Sequence, residues 1–229
     1  MNFIIDILIL ALFIFLALIG IKKGLIKSAF ELVGAFLAVY LASYFSTILS
    51  EMIYNEVFRP GVYEKMLETT KNLSVESAAK NFFDSLEPFV LEFFELNGVT
   101  YETISETYTG FGEKAAVAIT DAISPVFISM IKVFVFLVLF IVFFVLLALL
   151  ANLLTKVIKL TILKKVNQIL GAVLGVVKAM VIVWVVFGAV AALLPLCSEE
   201  FRELLIEGAQ NSILGSFIMG INPLEWIFK

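Results

Sequence analysis

The chain has no histidine and almost no cysteine, and each absence excludes a kind of chemistry. None of the 229 residues is histidine, and the single cysteine is Cys197. Histidine is the commonest general base and a common metal ligand, and an internal disulfide needs a second cysteine. A cysteine nucleophile without a histidine to activate it is a weak candidate. We therefore expect a protein that is not an enzyme and that holds no metal or cofactor.

Charged residues are also scarce, and apolar residues take their place. Hydrophobic residues make up 62% of the chain, charged residues only 16%, and the mean hydropathy is +1.07. Soluble globular chains are about 45–50% apolar, so the excess points to the bilayer as solvent. The first charge is the acidic Asp6, and no small-residue cleavage pattern follows the first apolar run. That run is therefore expected to be a retained membrane helix, not a signal peptide.

Four apolar runs are long enough to cross a membrane, which takes about 20 helical residues. They cover 3–21, 28–49, 131–154 and 169–194. Short lysine-rich loops join the first run to the second and the third to the fourth. The positive-inside rule predicts that both loops face the cytoplasm and that both termini lie outside. The sequence thus predicts an all-α, integral membrane helical bundle of about four transmembrane helices.

The runs divide the chain into four predicted parts. These are a transmembrane hairpin over 1–50, an extracytoplasmic amphipathic-helical insert over 51–128, a second hairpin over 129–195, and an extracytoplasmic amphipathic tail over 196–229. Trp226, near the end of the tail, is a candidate interfacial anchor.

Residues 75–86 of the insert show helical periodicity, with apolar side chains on one face and charged side chains on the other. Pro88 and Thr100 are suited to begin further short helices, and Asn97 with the following glycine forms a stop signal. The Ser-Pro pair at Pro125 predicts a break or kink before the third apolar run.

Small residues recur every four positions in the second and fourth runs. The stripes consist of Gly34, Ala38, Ala42 and Ser46, and of Gly171, Gly175 and Ala179. Gly20 and Gly24 flank the first lysine-rich turn. Small residues let helix backbones approach closely in lipid, so tight packing is the first interpretation. An oligomer interface or a gating surface is the alternative.

Charged residues inside the apolar runs are the remaining candidates. Asp6, Lys132 and Lys178 would each cost about 2.5–3.5 kcal/mol at mid-span. Judged by depth, Asp6 could pair with Lys132 near the outer boundary, and Glu31 with Lys178 nearer the inner one. Snorkelling of the lysines to the headgroups, or a role in moving an ion or substrate, are the alternatives.

Two segments resemble the colicin V production protein family. Residues 6–27 run from Asp6 through an apolar helix to a glycine, the two basic residues Lys22 and Lys23, and a second glycine, as that family typically begins. Residues 167–178 are similar to its motif before the last helix, with two glycines and the final Lys178. Asn167 stands where the family often has aspartate, and the residue after Lys178 is alanine where glycine is common.

The resemblance covers both hairpins but leaves the insert unmatched. It implies a bacterial cytoplasmic (inner) membrane protein linked to toxin production or secretion and to envelope homeostasis, with no established biochemical activity. The expected partners are the lipid bilayer, a membrane or extracytoplasmic protein, and a second copy of the chain. No nucleic-acid partner is expected, because the lysines lie in membrane-flanking loops. A small channel or transporter using the Lys178 region, and a membrane-anchored scaffold that binds an external partner, are the alternative functions.

Overall fold

The computed structural model describes residues 2–157, 164–194 and 197–221, and every element in these ranges is a helix, apart from an isolated bridge between Ser74 and Phe111. The all-α prediction is therefore confirmed for the described residues. Trp226 and residue 195, where the second predicted hairpin ends, lie outside those ranges. The elements are α1 (Asn2–Ile53), a π-helical turn (Tyr54–Phe58), α2 (Arg59–Thr70), α3 (Val75–Asp84), α4 (Pro88–Leu96), α5 (Tyr101–Thr107), α6 (Glu113–Val157), α7 (Lys164–Leu193), α8 (Glu199–Gln210) and α9 (Ile213–Met219).

Three helical runs of the described residues are long and apolar enough to cross a membrane. They are Ile4–Thr70, Glu113–Thr155 and Lys164–Leu193. The first run contains Gly24, whose backbone angles are not helical, so α1 consists of two helical segments, 2–23 and 25–53. The apolar helices support a membrane protein, as the composition indicated.

The break predicted at Pro125 is wrong, because α6 runs through this residue from Glu113 to Val157; the alternative, a kink, stays a prediction. Proline removes one backbone donor and crowds the preceding turn. Neighbouring hydroxyl groups occupy the carbonyls of these turns: Ser124 Oγ donates to the Thr120 carbonyl at 2.6 Å, and Ser129 Oγ donates to the Pro125 carbonyl at 2.8 Å. The carbonyl left without a backbone donor is that of Asp121, four residues before Pro125, and the two serines bond to other carbonyls of α6.

The chain separates into two compact units. Unit 1 comprises the described parts of 1–45, 136–192 and 200–229, and unit 2 comprises 46–135 with the described parts of 193–199.

Unit 2 is the four short helices α2–α5 packed on the adjoining ends of α1 and α6. The apolar face predicted for 75–86 is confirmed, since its residues Val75, Ala78, Ala79 and Phe83 are buried in the core of this unit. The predicted helix starts are confirmed too, with Pro88 in the first turn of α4 and Thr100 forming a reciprocal capping box at α5.

Two polar contacts within unit 2 fix the π-helical turn against α6. Ser124 Oγ lies 2.8 Å from the hydroxyl of the fully buried Tyr54. Just beyond the turn, the Arg59 guanidinium donates to Asp121 at 2.7 Å. The Arg59 pair is half exposed and so contributes little, whereas the buried tyrosine contact fixes a position.

Unit 1 is built around α7, which buries residues on most of its faces. Gly171, Gly175, Ala179, Val181 and Val185 are all buried there. The second segment of α1 presents its own buried stripe of small residues, with Ala38 and Ala42 in unit 1 and Ser46 at the start of unit 2. Both small-residue stripes predicted from the sequence thus lie in packed positions, the arrangement that membrane helices use in place of a hydrophobic driving force.

Candidate functional site: a buried ion cluster in unit 1

A single carboxylate, Glu31, holds two lysines inside unit 1. Its Oε2 accepts from Lys178 Nζ at 2.7 Å and its Oε1 from Lys23 Nζ at 2.5 Å. The Glu31 and Lys178 side chains are only 3% and 10% exposed, while Lys23 is 28% exposed. The predicted contact between Glu31 and Lys178 is confirmed. The sequence reasoning missed Lys23 as the second partner of the carboxylate.

The first helix turns back at Gly24, and this turn brings the cluster together. Gly24 has φ 77° and ψ 175°, a conformation that favours glycine. Leu16, before the turn, contacts Gly175, whereas Glu31, after it, contacts Lys178, less than one helical turn further along α7. Leu16 and Glu31 would lie about 22 Å apart along one continuous helix. They reach the same turn of α7 because the two segments of α1 run antiparallel.

Glycines let the first segment of α1 touch α7 backbone to backbone. A Cβ atom on Gly20 would overlap the carbonyl of Gly171, and one on Gly175 would overlap the carbonyl of Leu16. Any larger residue at these positions must push the helices apart. With the helices this close, Lys178 Nζ reaches Glu31 Oε2 directly, without a bridging water.

Asn167 completes the turn. Its Oδ1 accepts a 2.8 Å hydrogen bond from the backbone N–H of Leu25, the first residue after Gly24. A Cβ atom on Gly24 would overlap the Asn167 side chain, so the two residues are matched in shape. Helix N-termini carry unsatisfied donors, and a side-chain oxygen satisfies one of them. An amide oxygen therefore fills the position where aspartate is common in the family motif that residues 167–178 resemble.

The cluster carries a net charge of +1 in a largely apolar environment. Beyond its ion pair, Lys178 Nζ lies 5.7 Å from the centroid of the Phe144 ring, within the range of a cation–π interaction. A buried pair of this kind is weak evidence for stability, because desolvating the charges offsets their attraction. It does specify one arrangement of the helices, since each charge left alone would be costly.

Asp6 has a different role from the one predicted. Its Oδ1 accepts from Ser212 Oγ at 2.7 Å and from the Leu214 N–H at 2.9 Å, and its Oδ2 accepts from the Ile213 N–H at 3.2 Å. None of the three ion pairs in the described part of the chain includes Asp6 or Lys132. The predicted Asp6–Lys132 pair is therefore wrong, because fixed donors at the start of α9 already occupy the carboxylate.

A second contact ties the same tail segment to α7. The indole Nε1 of Trp184 donates to the carbonyl of Ile218 at 2.9 Å, and both residues are buried. The tail up to residue 221 thus contributes to the core of unit 1. This contact could not be predicted from the sequence, since a buried indole and a helix-start serine have no diagnostic spacing.

The ten candidate residues therefore fall into two sets. Seven meet along the contact between α1 and α7: Gly20, Lys23, Gly24, Glu31, Gly171, Gly175 and Lys178. Three do not join them, since Lys22 is exposed, Asp6 binds the start of α9, and Lys132 belongs to unit 2.

The family model described as colicin V production protein matches residues 5–84 and 96–222, most of the chain. The chain belongs to the colicin V production protein family. No curated protein and no solved structure matches it. The family match corrects one expectation, because it includes most of the insert and leaves only 85–95 unmatched between its two stretches.

In this member of the colicin V production family, the two motifs that suggested the resemblance form one contact surface. Gly20 and Gly24 of the first motif meet Gly171 of the second, and Asn167 caps the helix that follows Gly24. Lys23 and Lys178, one basic residue from each motif, share the carboxylate of Glu31. Separate stretches of sequence thus specify a single three-helix junction.

Proposed function

We propose that this member of the colicin V production family is a four-span, non-catalytic protein of the bacterial cytoplasmic membrane that supports toxin production or secretion, and with it envelope homeostasis, through protein partners. The observation that carries this conclusion is the family match over residues 5–84 and 96–222. A role in toxin production follows from what the family's description names, and secretion and envelope homeostasis extend it.

Four spans are supported by the turn at Gly24. Each segment of α1, 2–23 and 25–53, exceeds the roughly 20 residues that a span needs. The turn carries Lys22 and Lys23, and the start of α7 carries two more lysines. The positive-inside rule then puts both basic ends in the cytoplasm and the insert outside, along with both termini.

A non-catalytic role is supported by the state of the charged groups. Glu31 and Lys178 are buried and bonded to one another, so each is occupied in holding helices together. The sequence also lacks histidine and has one cysteine, which leaves few of the groups that commonly perform acid–base or nucleophilic steps.

The insert is the part that we propose to contact a protein partner outside the membrane. Val57, Leu96 and Phe111 are large apolar residues of unit 2 with 66%, 67% and 73% exposure. We propose these side chains as the contact points of the insert, since the core of a protein–protein interface is apolar. Photo-crosslinking from Phe111 in intact cells, with the exposed Glu76 as control position, tests this. Crosslinks to a protein from both positions equally would contradict a specific contact.

Complementation tests the function directly. The chain is expressed in a colicin V-producing strain that lacks its own colicin V production protein, and toxin activity is measured in the medium and inside the cells. We expect the wild-type chain to restore toxin in the medium. Wild-type protein that inserts into the membrane at normal abundance but restores no toxin would contradict the proposed function.

A small channel or transporter at the ion cluster is the second candidate, and one observation favours it. Ser28 is 5% exposed, lies one turn before Glu31, and its hydroxyl has no hydrogen-bond partner in the described part of the chain. An unsatisfied buried polar group beside charged ones inside a membrane helix is typical of an ion or proton path. Ser28→Ala separates the candidates: a structural cluster predicts unchanged toxin production, whereas a conducting path predicts its loss with normal protein abundance.

A further inference from the structure

An open cavity of about 650 Å³ lies in unit 1, about one helical turn from the ion cluster. Its described lining is Lys27 from the second segment of α1 and Leu149, Asn152, Leu153 and Thr155 from α6. The volume is within the usual range for small-molecule sites, about 300–1,000 Å³. None of these residues takes part in the ion pairs of Glu31, so the cavity is not part of the ion cluster.

Of the three polar residues that line the cavity, Thr155 donates to the Ala151 carbonyl, whereas Asn152 and Lys27 keep unused hydrogen-bonding capacity. Asn152 Oδ1 is buried without a hydrogen-bond partner in the described residues, and Lys27 is not in any of their ion pairs. Because this oxygen is out of reach of solvent, the group of Asn152 that can face the cavity is its NH₂, which donates. Asn152 and the ammonium of Lys27 can therefore both donate to a ligand in the cavity.

The apolar part of the lining lies next to this polar part on the same helix. Leu149 and Leu153 are one turn apart and are 55% and 61% exposed on a helix that is apolar enough to cross a membrane. Asn152 and Thr155 follow on the neighbouring face of the same turns. A ligand that fills the cavity must therefore present an anionic, hydrogen-bond-accepting group next to a hydrocarbon chain.

We propose that this cavity binds an anionic phospholipid, with the phosphate at Lys27 and Asn152 and an acyl chain along Leu149 and Leu153. Basic pockets between transmembrane helices on the cytoplasmic side are general recognition sites for anionic headgroups. The first lysine-rich turn, three residues before Lys27, supplies positive charge at the same end of unit 1. The cytoplasmic placement of this site rests on the topology proposed above, but the site does not depend on a protein partner.

The test is the thermal midpoint of the purified full-length chain in detergent, titrated with phosphatidylglycerol, phosphatidylcholine or inorganic phosphate. A ligand that binds the folded state raises the midpoint, and at a given concentration a tighter ligand raises it more. We expect phosphatidylglycerol to raise it, and the other two to have little effect. Equal effects of the two lipids would overturn specific binding, and an equal effect of inorganic phosphate would overturn a lipid as the occupant.

Matched variants locate the effect. Lys27→Gln should weaken the apparent affinity for phosphatidylglycerol about fivefold, the value expected for one lysine near an anionic surface. Lys22→Gln, at an exposed position of the same basic turn, should leave it unchanged. Equal weakening by both variants would mean general surface attraction and would overturn the site.

Asn152→Leu provides an independent test if Lys27→Gln does not fold. Replacing the unpaired amide should leave the lipid-free midpoint equal or higher, since it removes a buried unsatisfied group. The same variant should respond less to phosphatidylglycerol. An undiminished response would overturn the role of Asn152 and with it the proposed site.

Discussion

Replacing Glu31 tests whether the buried ion cluster fixes the positions of the helices or is incidental to the fold. Glu31→Leu leaves Lys178, with a side chain only 10% exposed, without a counter-ion. Removing one partner of a buried pair costs about 3–5 kcal/mol, because the other charge stays desolvated. Lys178→Leu should cost less, about 2 kcal/mol, since Lys23 remains bonded to the carboxylate.

The double variant Glu31→Leu with Lys178→Leu gives the strongest discrimination. Replacing both charges of a buried pair by apolar residues is often neutral or stabilising, so it should lie within about 1 kcal/mol of the wild type. The remaining Lys23 is 28% exposed and can direct its ammonium toward the headgroups. The double variant should therefore be more stable than Glu31→Leu alone.

The assay is the thermal midpoint of the purified chain in detergent. At about 2–4 °C per kcal/mol for a chain of this size, Glu31→Leu should lower the midpoint by roughly 10 °C, and the double variant should recover most of that loss. Lys22→Gln is the control, because Lys22 is exposed. If both single variants keep the wild-type midpoint, or the double variant is the least stable, the cluster does not determine how these helices pack.

Three further outcomes test the contacts around the cluster. Gly175→Ala should lower stability by about 1–3 kcal/mol by forcing its Cβ into the facing carbonyl, whereas Gly61→Ala, with open space around it, should be neutral in the same thermal assay. Gly24→Ala should cost more than Gly98→Ala: both have positive φ, but Gly24, at ψ 175°, lies in a region that is essentially restricted to glycine, and it also meets a side chain. Asp6→Ala should speed hydrogen exchange at the two backbone amides that donate to its carboxylate, and unchanged protection there would contradict its anchoring role.

The sequence predicted those features that rest on a strong physical pattern. Long apolar runs fixed the helical class, and depth alone paired Glu31 with Lys178, since few charges in apolar helices have a choice of partner. The capped starts of α4 and α5 were visible as Pro88 and Thr100 because caps depend on local chemistry.

The features that the sequence did not reveal depend on tertiary contacts. Depth pairs Asp6 with Lys132, yet the Ser212 hydroxyl and two backbone N–H groups at the start of α9, more than 200 residues later in the chain, bind it. Pro125 has the local pattern of a break, but α6 continues through it from Glu113 to Val157. Lys23 as a partner of Glu31 needed the turn at Gly24, whose geometry is set by Asn167 from another helix.

We propose that α1 forms two membrane spans joined by a cytoplasmic turn and that the insert lies on the opposite side of the membrane. Single cysteines placed in a Cys197→Ser background at Lys22, Lys164 and Ser85, all exposed positions, test it with a membrane-impermeant maleimide. The account predicts that Ser85→Cys labels in intact cells, and that Lys22→Cys and Lys164→Cys label only after permeabilisation. Lys22→Cys that stays unlabelled in both conditions, or labels in intact cells while Ser85→Cys does not, would contradict it.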